Sequence, residues 1–297
     1  MTPTISPNPI DDVNALFTFP FMVNALEAGT IVAILAAVVG WYMVLRRQSF
    51  AGHTLSVMAF PGAAGAALAG LPTTLGYYLA CGAAALFMRG ARGSPGLGSA
   101  GRGDGAETAT IATVQTVGLA AGYLFLSLNH AVLGGTETLL FGTFLGVSRG
   151  QVLALLLVAV AALVLVALAA RPLLLETIDP EAARARGLPV AALDLGFLLV
   201  LALAVAATSQ ITGALLVFAL LVAPPAAAQQ VTMRPGLGLA LSVVFALVVV
   251  WLGLGVAYFS IYPVGFYVTS FAFALYLTAR LARASKARRD RRVHRSG

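Results

Sequence analysis

The sequence predicts an all-α protein, a polytopic membrane helix bundle with eight or nine transmembrane helices. Three observations carry this reading. Sixty per cent of the 297 residues are hydrophobic and only 10% are charged, with a mean hydropathy of +0.93, a composition that a water-soluble globule cannot carry on its surface. Apolar runs of the roughly 17–25 residues needed to cross a hydrocarbon core as helices recur from end to end. The polar segments between them are short and hold most of the Lys and Arg.

The runs fall at about 21–45, 54–70, 72–88, 107–128, 151–170, 194–208, 211–231, 236–257 and 264–282. Residues 1–20 place Pro, Asp and Asn where a signal peptide needs a basic start and an apolar centre, so they read as an extracytoplasmic N-terminal segment and the first run as an anchor. A shorter run, 131–147, contains Gly134, Gly135, Glu137 and Gly142 and predicts a partial or re-entrant segment. With the N-terminus outside, Arg46, Arg47, the loops 89–106 and 171–193, Arg234 and the tail 283–297 all face the cytoplasm. Only Arg149 then breaks the positive-inside rule. The transmembrane domain is thus 21–282, followed by a basic cytoplasmic tail. The net charge of +7 is explained by topology and by attraction to anionic lipid headgroups, worth ~1 kcal/mol per basic residue near the surface. It calls for a lipid bilayer as partner and for no nucleic acid.

Several chemistries are excluded or unsupported. Gly96, Gly98 and Gly101 have GxGxxG spacing but lie in an Arg/Gly-rich polar loop, without the strand and helix of a dinucleotide site. There is no GxxxxGK[ST] loop for ATP and no HExxH, so uphill transport needs an ion gradient or a separate ATPase. The single cysteine, Cys81, can form no internal disulfide and reads as a small buried residue. Small residues four apart (Gly62, Ala66 and Gly70; Gly118 and Gly122; Gly142 and Gly146) read as close helix packing. Pro61, and the pair Pro224 and Pro225, interrupt apolar runs and read as helix breaks or kinks.

Ionisable groups within the membrane cost ~2.5–3.5 kcal/mol at its centre on insertion scales, so each is a candidate. Glu27 lies toward the outer end of the first run with Asn24 one turn earlier, and is either a snorkelling carboxylate or part of a path. His53 opens the second run. His130 and Glu137 lie on the outer side, and Gln115 and Gln210 are neutral polar residues in or beside spans. In the second cytoplasmic loop the signals are local. Asp179 is an N-cap, Pro180 fits the first helical position, Glu181 favours the positive end of the dipole, Gly187 stops the helix and Pro189 prevents its resumption. The result is a helix of barely two turns, marginal without something to pack against, with Ala182, Ala183 and Ala185 shaped for a shallow groove and Arg184 and Arg186 offering charged contacts. Composition leaves it equally an interfacial helix or a docking element.

Four stretches taken together, "VLRRQSFAGHTLSVMAFPGAAGAALAG", "LLFGTFLGVS", "RPLLLETIDPEAARARGLPV" and "ITGALLVFALLVAPPAAAQQVT", resemble in order and spacing the ABC-3 permeases of ATP-driven zinc, manganese or iron importers, across roughly residues 20–280. The resemblance implies a homodimer in the bacterial cytoplasmic (inner) membrane, a separate cytoplasmic ATP-binding subunit, and an extracytoplasmic metal-binding protein that delivers the ion. It implies no cofactor and no enzymatic activity for this chain, with a divalent metal ion as the transported substrate and ATP used by the partner. It also implies that 179–187 docks on the ATPase, through Asp179, Pro180, Glu181, Arg184, Arg186 and Gly187. Family members commonly carry a pattern like GDxxxHxxLPG; here its aspartate and histidine positions are His53 and Val57. Residues four apart share a helix face, and the loss of the carboxylate shifts the expectation toward zinc over manganese or iron, because imidazole suits zinc and carboxylate suits manganese. His53, with Ser56 and Glu27, is the candidate set for the ion's path. Two competing readings stand beside this: a permease for a metal chelate, and a gradient-driven secondary carrier, which has no need of the capped 179–187 helix.

Overall fold

The protein is described by a computed structural model covering residues 19–93, 105–129, 139, 140, 142 and 144–293. The GxGxxG glycines Gly96, Gly98 and Gly101, together with His130 and Glu137, lie outside the described residues, as do most of the first 20. The architecture is all-helical: α1 (Pro20–Leu45), α2 (Ser49–Leu68), α3 (Thr73–Gly93), α4 (Gly105–Leu128), α5 (Arg149–Ile178), the short α6 (Pro180–Ala185), a long segment Val190–Val231, then Pro235–Tyr258 and Val264–Val293.

The long segment is two helices. Asp194 near its start bonds to Arg46, and Gln229 near its finish donates to the Trp41 carbonyl, so both ends meet the same end of α1. A straight helix of 42 residues would instead separate its ends by about 63 Å. The chain reverses at Gly213, whose φ of 75° and ψ of 160° leave the helical region. We label the limbs α7 (190–212) and α8 (214–231), and the two helices that follow α9 (Pro235–Tyr258) and α10 (Val264–Val293). Nine long helices build the bundle among the described residues, one for each of the nine apolar runs. Six stretches meet strict length and apolarity for a span by themselves; α2, α3 and α8 are the shorter or less apolar ones. One end of the bundle carries Arg46, Arg47, Arg171, Arg184, Arg186, Arg234 and Arg283, and is the basic end below.

The α7–α8 hairpin contacts α1, α2, α3, α5, α9 and α10. At its turn, a Cβ on Gly213 would overlap the Leu140 carbonyl oxygen and the Gly142 nitrogen, and a Cβ on Gly142 (φ 78°) would overlap the Ile211 carbonyl oxygen. The segment expected to be re-entrant therefore seats Leu140 and Gly142 directly on the break. Thr208 and Thr212 beside it are buried and turn their hydroxyls back onto the Ala204 and Thr208 carbonyls, at 2.7 and 3.0 Å. This is how polar groups at a helix interruption stay satisfied where water is scarce. Close backbone approaches recur between α2 and α3 at Gly62 and Gly76, and between α1 and α8 at Gly40 and Leu221.

Three expectations change. The helix interruptions assigned to Pro61, Pro224 and Pro225 do not occur there: all three prolines sit inside helices with helical backbone, and the break is at Gly213. A proline removes one hydrogen bond, yet its fixed φ suits a helix, and packed neighbours in a membrane bundle tolerate the loss. For the same reason α5 runs through Pro172 to Ile178, so most of 171–178 is helix rather than loop, and α10 continues through Arg280 and Arg283 into the basic tail. Gly70 belongs to no packing ladder. At φ 70° with open space around it, it ends α2 in a Schellman turn, where the Leu71 N–H donates to the Ala66 carbonyl.

Gly213→Ala and Gly142→Ala each force a side chain into left-handed backbone and into a neighbouring carbonyl. The strain alone costs ~1–2 kcal/mol, so both variants will melt at lower temperature in detergent. Gly196→Ala, helical and facing open space, will not lower it, because alanine favours helix over glycine by about 1 kcal/mol.

Candidate functional site

The basic end holds the most organised polar cluster among the described residues. The Asp179 carboxylate accepts from the Ala182 N–H at 2.9 Å, Pro180 occupies the first helical position, and Glu181 lies in the first turn. Gly187 at φ 74° ends the helix in a Schellman turn, its own N–H donating to the Arg184 carbonyl and that of Leu188 to the Ala183 carbonyl. Only Ala183 of α6 is buried; Glu181, Arg184, Ala185 and Arg186 are exposed. The helix is anchored by one small side chain against α5 and α7 and presents a charged outer face.

The two helices that carry α6 converge on one arginine. Arg46 donates through Nη1 and Nη2 to the two carboxylate oxygens of Glu176 at 2.9 and 3.2 Å, and through Nη2 to Asp194 Oδ1 at 3.1 Å. Gln48 Nε2 donates to the same Asp194 oxygen at 2.7 Å, and the Phe197 ring lies 5.2 Å from the guanidinium carbon. These charges are largely desolvated, with side-chain exposures of 6% for Arg46, 9% for Glu176 and 19% for Asp194. A polar cleft of about 530 Å³, bounded by Arg46, Arg47, Gln48, Glu176, Thr177 and Asp194, opens beside them.

Within the membrane, the sequence-predicted path residues separate into two places. His53 sits one turn into α2 from the basic end, its ring 4.8 Å from that of Phe218 on α8, and its Nδ1 is buried with no hydrogen-bond partner. Ser56 lies on the same side one turn on, buried, its hydroxyl donating to the His53 carbonyl at 2.8 Å. Thr54 is also buried, with its hydroxyl 3.2 Å from Gln115 Oε1 on α4. Glu27 is elsewhere. It is exposed near the start of α1 and lines an apolar groove of about 810 Å³ with Arg149, Val152 and Trp251. The rise of α1 and α2 puts it roughly 20 Å from His53 along the bundle. The structure thus brings Ser56 to His53 and does not bring Glu27 to either. Among the described residues, no group of three or more His, Cys, Asp or Glu side chains comes together as a metal cage.

In the sequence Arg46 reads only as a topology marker, and Glu176 and Asp194 carry no local signal. Their partners lie 130 and 148 residues away. The one hint is that each is an acid at the edge of an apolar run, with the pair Arg46 and Arg47 at the edge of another. Cys81 behaves as expected, fully buried with its thiol 3.5 Å from the Leu55 carbonyl.

A nine-helix membrane bundle with a capped, outward-facing short helix at its basic end defines a polytopic transport subunit. Residues 18–283 match the ABC 3 transport family, and the chain belongs to that family. It is 31% identical over 206 residues, 69% of this chain and 73% of the relative, to the "Probable iron transport system membrane protein" of Haemophilus influenzae. It is 29% identical over 246 residues, 83% of this chain and 80% of the relative, to the manganese transport system membrane protein MntC of Halalkalibacterium halodurans. The solved structure of PsaBC from Streptococcus pneumoniae in complex with Fab superposes with a TM-score of 0.79 at 25% identity, covering 92% of this chain and 95% of that one. The all-helical permease fold and the multi-pass membrane location are thereby shown.

Removing the α6 cap with Asp179→Ala will cost about 1 kcal/mol of local helix stability. Hydrogen exchange will read this as faster exchange at residues 182–188 with global melting unchanged.

Proposed function

We propose that this chain is the membrane permease of an ATP-driven importer of a divalent transition-metal ion, working as a homodimer with a separate cytoplasmic ATP-binding subunit and an extracytoplasmic metal-binding protein. The observation that carries this is α6: a six-residue helix capped at both ends, anchored through Ala183 alone, and presenting Glu181, Arg184 and Arg186 outward at the basic end. A helix this short does not persist by propensity. Its capping makes sense as a rigid plug for a partner's groove, which a gradient-driven carrier has no use for. The names of the relatives, iron and manganese transport membrane proteins, support a metal as cargo, and the absence of a P-loop motif leaves hydrolysis to the partner. The segment before α1 lies outside, and the basic tail lies against the inner leaflet.

Among metals, the donor chemistry favours zinc. His53 offers an imidazole nitrogen that no described residue hydrogen-bonds, Ser56 adds a hydroxyl, and position 57 is a buried valine rather than a further donor. Imidazole without carboxylate suits zinc better than manganese. One nitrogen and one hydroxyl hold an ion only in passing, as a transport path requires, and His53 of the second protomer supplies the complementary donor. Glu27, at the outer end, serves entry rather than this contact.

The test is uptake in proteoliposomes holding permease, ATPase and delivery protein, with zinc, manganese and iron compared. Zinc uptake will require ATP and exceed that of the other two. His53→Ala will lower it by about 10-fold or more, since loss of even an outer-shell partner costs about 10–100-fold in metal affinity. Faster manganese uptake would overturn the zinc preference, and uptake without ATP would overturn the importer.

A further inference from the structure

A cationic residue at the inner edge of a span ordinarily snorkels, its stem in the membrane and its head in water. Arg47 does this and is exposed. Arg46 does not. Its side chain is 6% exposed, and its guanidinium is enclosed by Glu176 from the end of α5, Asp194 from the start of α7 and the face of Phe197. Glu176 lies four residues before Pro180 and Asp194 lies nine after Ala185, so the two carboxylates are the two roots of the excursion that bears α6. One guanidinium ties both roots to the end of α1.

The other side of the clamp is equally fixed. Helix α1 ends in a Schellman turn, with the Arg47 N–H donating to the Val44 carbonyl and the Gln48 N–H to the Met43 carbonyl. Arg47 takes the left-handed position at φ 56°, which glycine normally fills. Gln48 then reaches across to Asp194 at 2.7 Å, and α2 begins at the next residue. The α1–α2 corner and the α6 excursion are thus joined by four charge-assisted hydrogen bonds, the directional and stronger kind. His53 follows one turn later on α2. The main packing of α6 itself is on α5 and α7, so this cluster is its direct polar link to the start of α2. For stability alone a well-packed apolar cluster would serve as well as buried charges; an apolar cluster does not fix the angle between three separate elements.

We infer that Arg46 is a positioning residue for energy coupling: it makes the α6 excursion and the α1–α2 corner one rigid body, so that displacement of α6 by the ATPase moves α2 and the His53 contact. This deepens the importer reading and rests on its assignment of α6 as the ATPase dock. The experiment measures ATP hydrolysis and metal uptake together, in proteoliposomes of the full complex, for wild type, Arg46→Gln, Arg46→Lys and the double variant Arg46→Glu with Glu176→Arg. In the Gln variant the ATPase will remain bound and hydrolyse ATP within about twofold of wild type. Uptake per ATP will fall roughly tenfold, within the 5–150-fold that couplings between sites typically span. Lys, which keeps the charge but lacks the planar fork, will fall between the two. In the double variant the arginine at 176 again faces carboxylates at 46 and 194, and uptake per ATP will recover. Hydrolysis and uptake falling in the same proportion, or an unchanged ratio, would overturn the inference. If Arg46→Gln fails to assemble, a wild-type ratio in the Lys variant overturns it just as well. Failure of the importer reading is distinguishable, because wild type itself would then show no ATP-dependent uptake.

Discussion

In a bilayer every backbone polar group must find its partner within the protein, and the reversal of the chain at Gly213 is where this constraint presses hardest. A helix interruption buried among other helices exposes carbonyls and N–H groups that lipid cannot solvate. The protein meets this by seating a second irregular segment, around Leu140 and Gly142, against the turn, at a separation only two glycines allow. The hairpin so formed is the hub of the bundle. Its limbs reach α1, α2, α3, α5, α9 and α10, and its first limb carries Asp194 near its start while its second brings Phe218 to His53. The inner charge cluster and the candidate ion contact are both held by it.

Polar groups along the axis are placed accordingly. Beside the break, Thr208 and Thr212 satisfy their own helix, whereas the buried Ser242 donates across to the Ala37 carbonyl of α1. At the basic end polar side chains also link helices: Arg46 with Glu176 and Asp194, Gln48 with Asp194, Gln229 with Trp41, Arg283 with Gln230. The ion pairs among the described residues thus lie at the end a cytoplasmic partner would reach. The opposite end is held differently, by the capping box of Ser148 and Gln151 that starts α5 and by the Asn24 side chain on the Val147 carbonyl.

Features encoded within a few neighbouring residues are legible in the amino-acid sequence. Helix α6 is the clearest case: Asp179, Pro180 and Gly187 each act through local backbone chemistry, and the helix runs between them as their order dictates. The spans are legible because apolar length is itself the requirement, and the two runs 194–208 and 211–231 already mark the limbs of the hairpin. Proline, the stronger breaker by local chemistry, is the weaker one in this bundle. Pro224 and Pro225 stay helical because their neighbours support them, while Gly213, unremarkable in an apolar run, turns the chain because Gly142 meets it from 71 residues away. The Arg46 cluster and the separation of Glu27 from His53 are likewise decided by contacts between distant segments, for which no short pattern exists.

The central claim is that α6 faces the cytoplasm and is covered by an ATP-binding partner. Cys81 is fully buried and leaves the wild-type chain silent to a membrane-impermeant maleimide, so a single cysteine at the exposed position 185, Ala185→Cys, reports on α6 alone. The account predicts labelling from the cytoplasmic face only, and its loss when the cognate ATPase is bound at saturation. Labelling from the outer face, or labelling that saturating ATPase leaves undiminished, would contradict it.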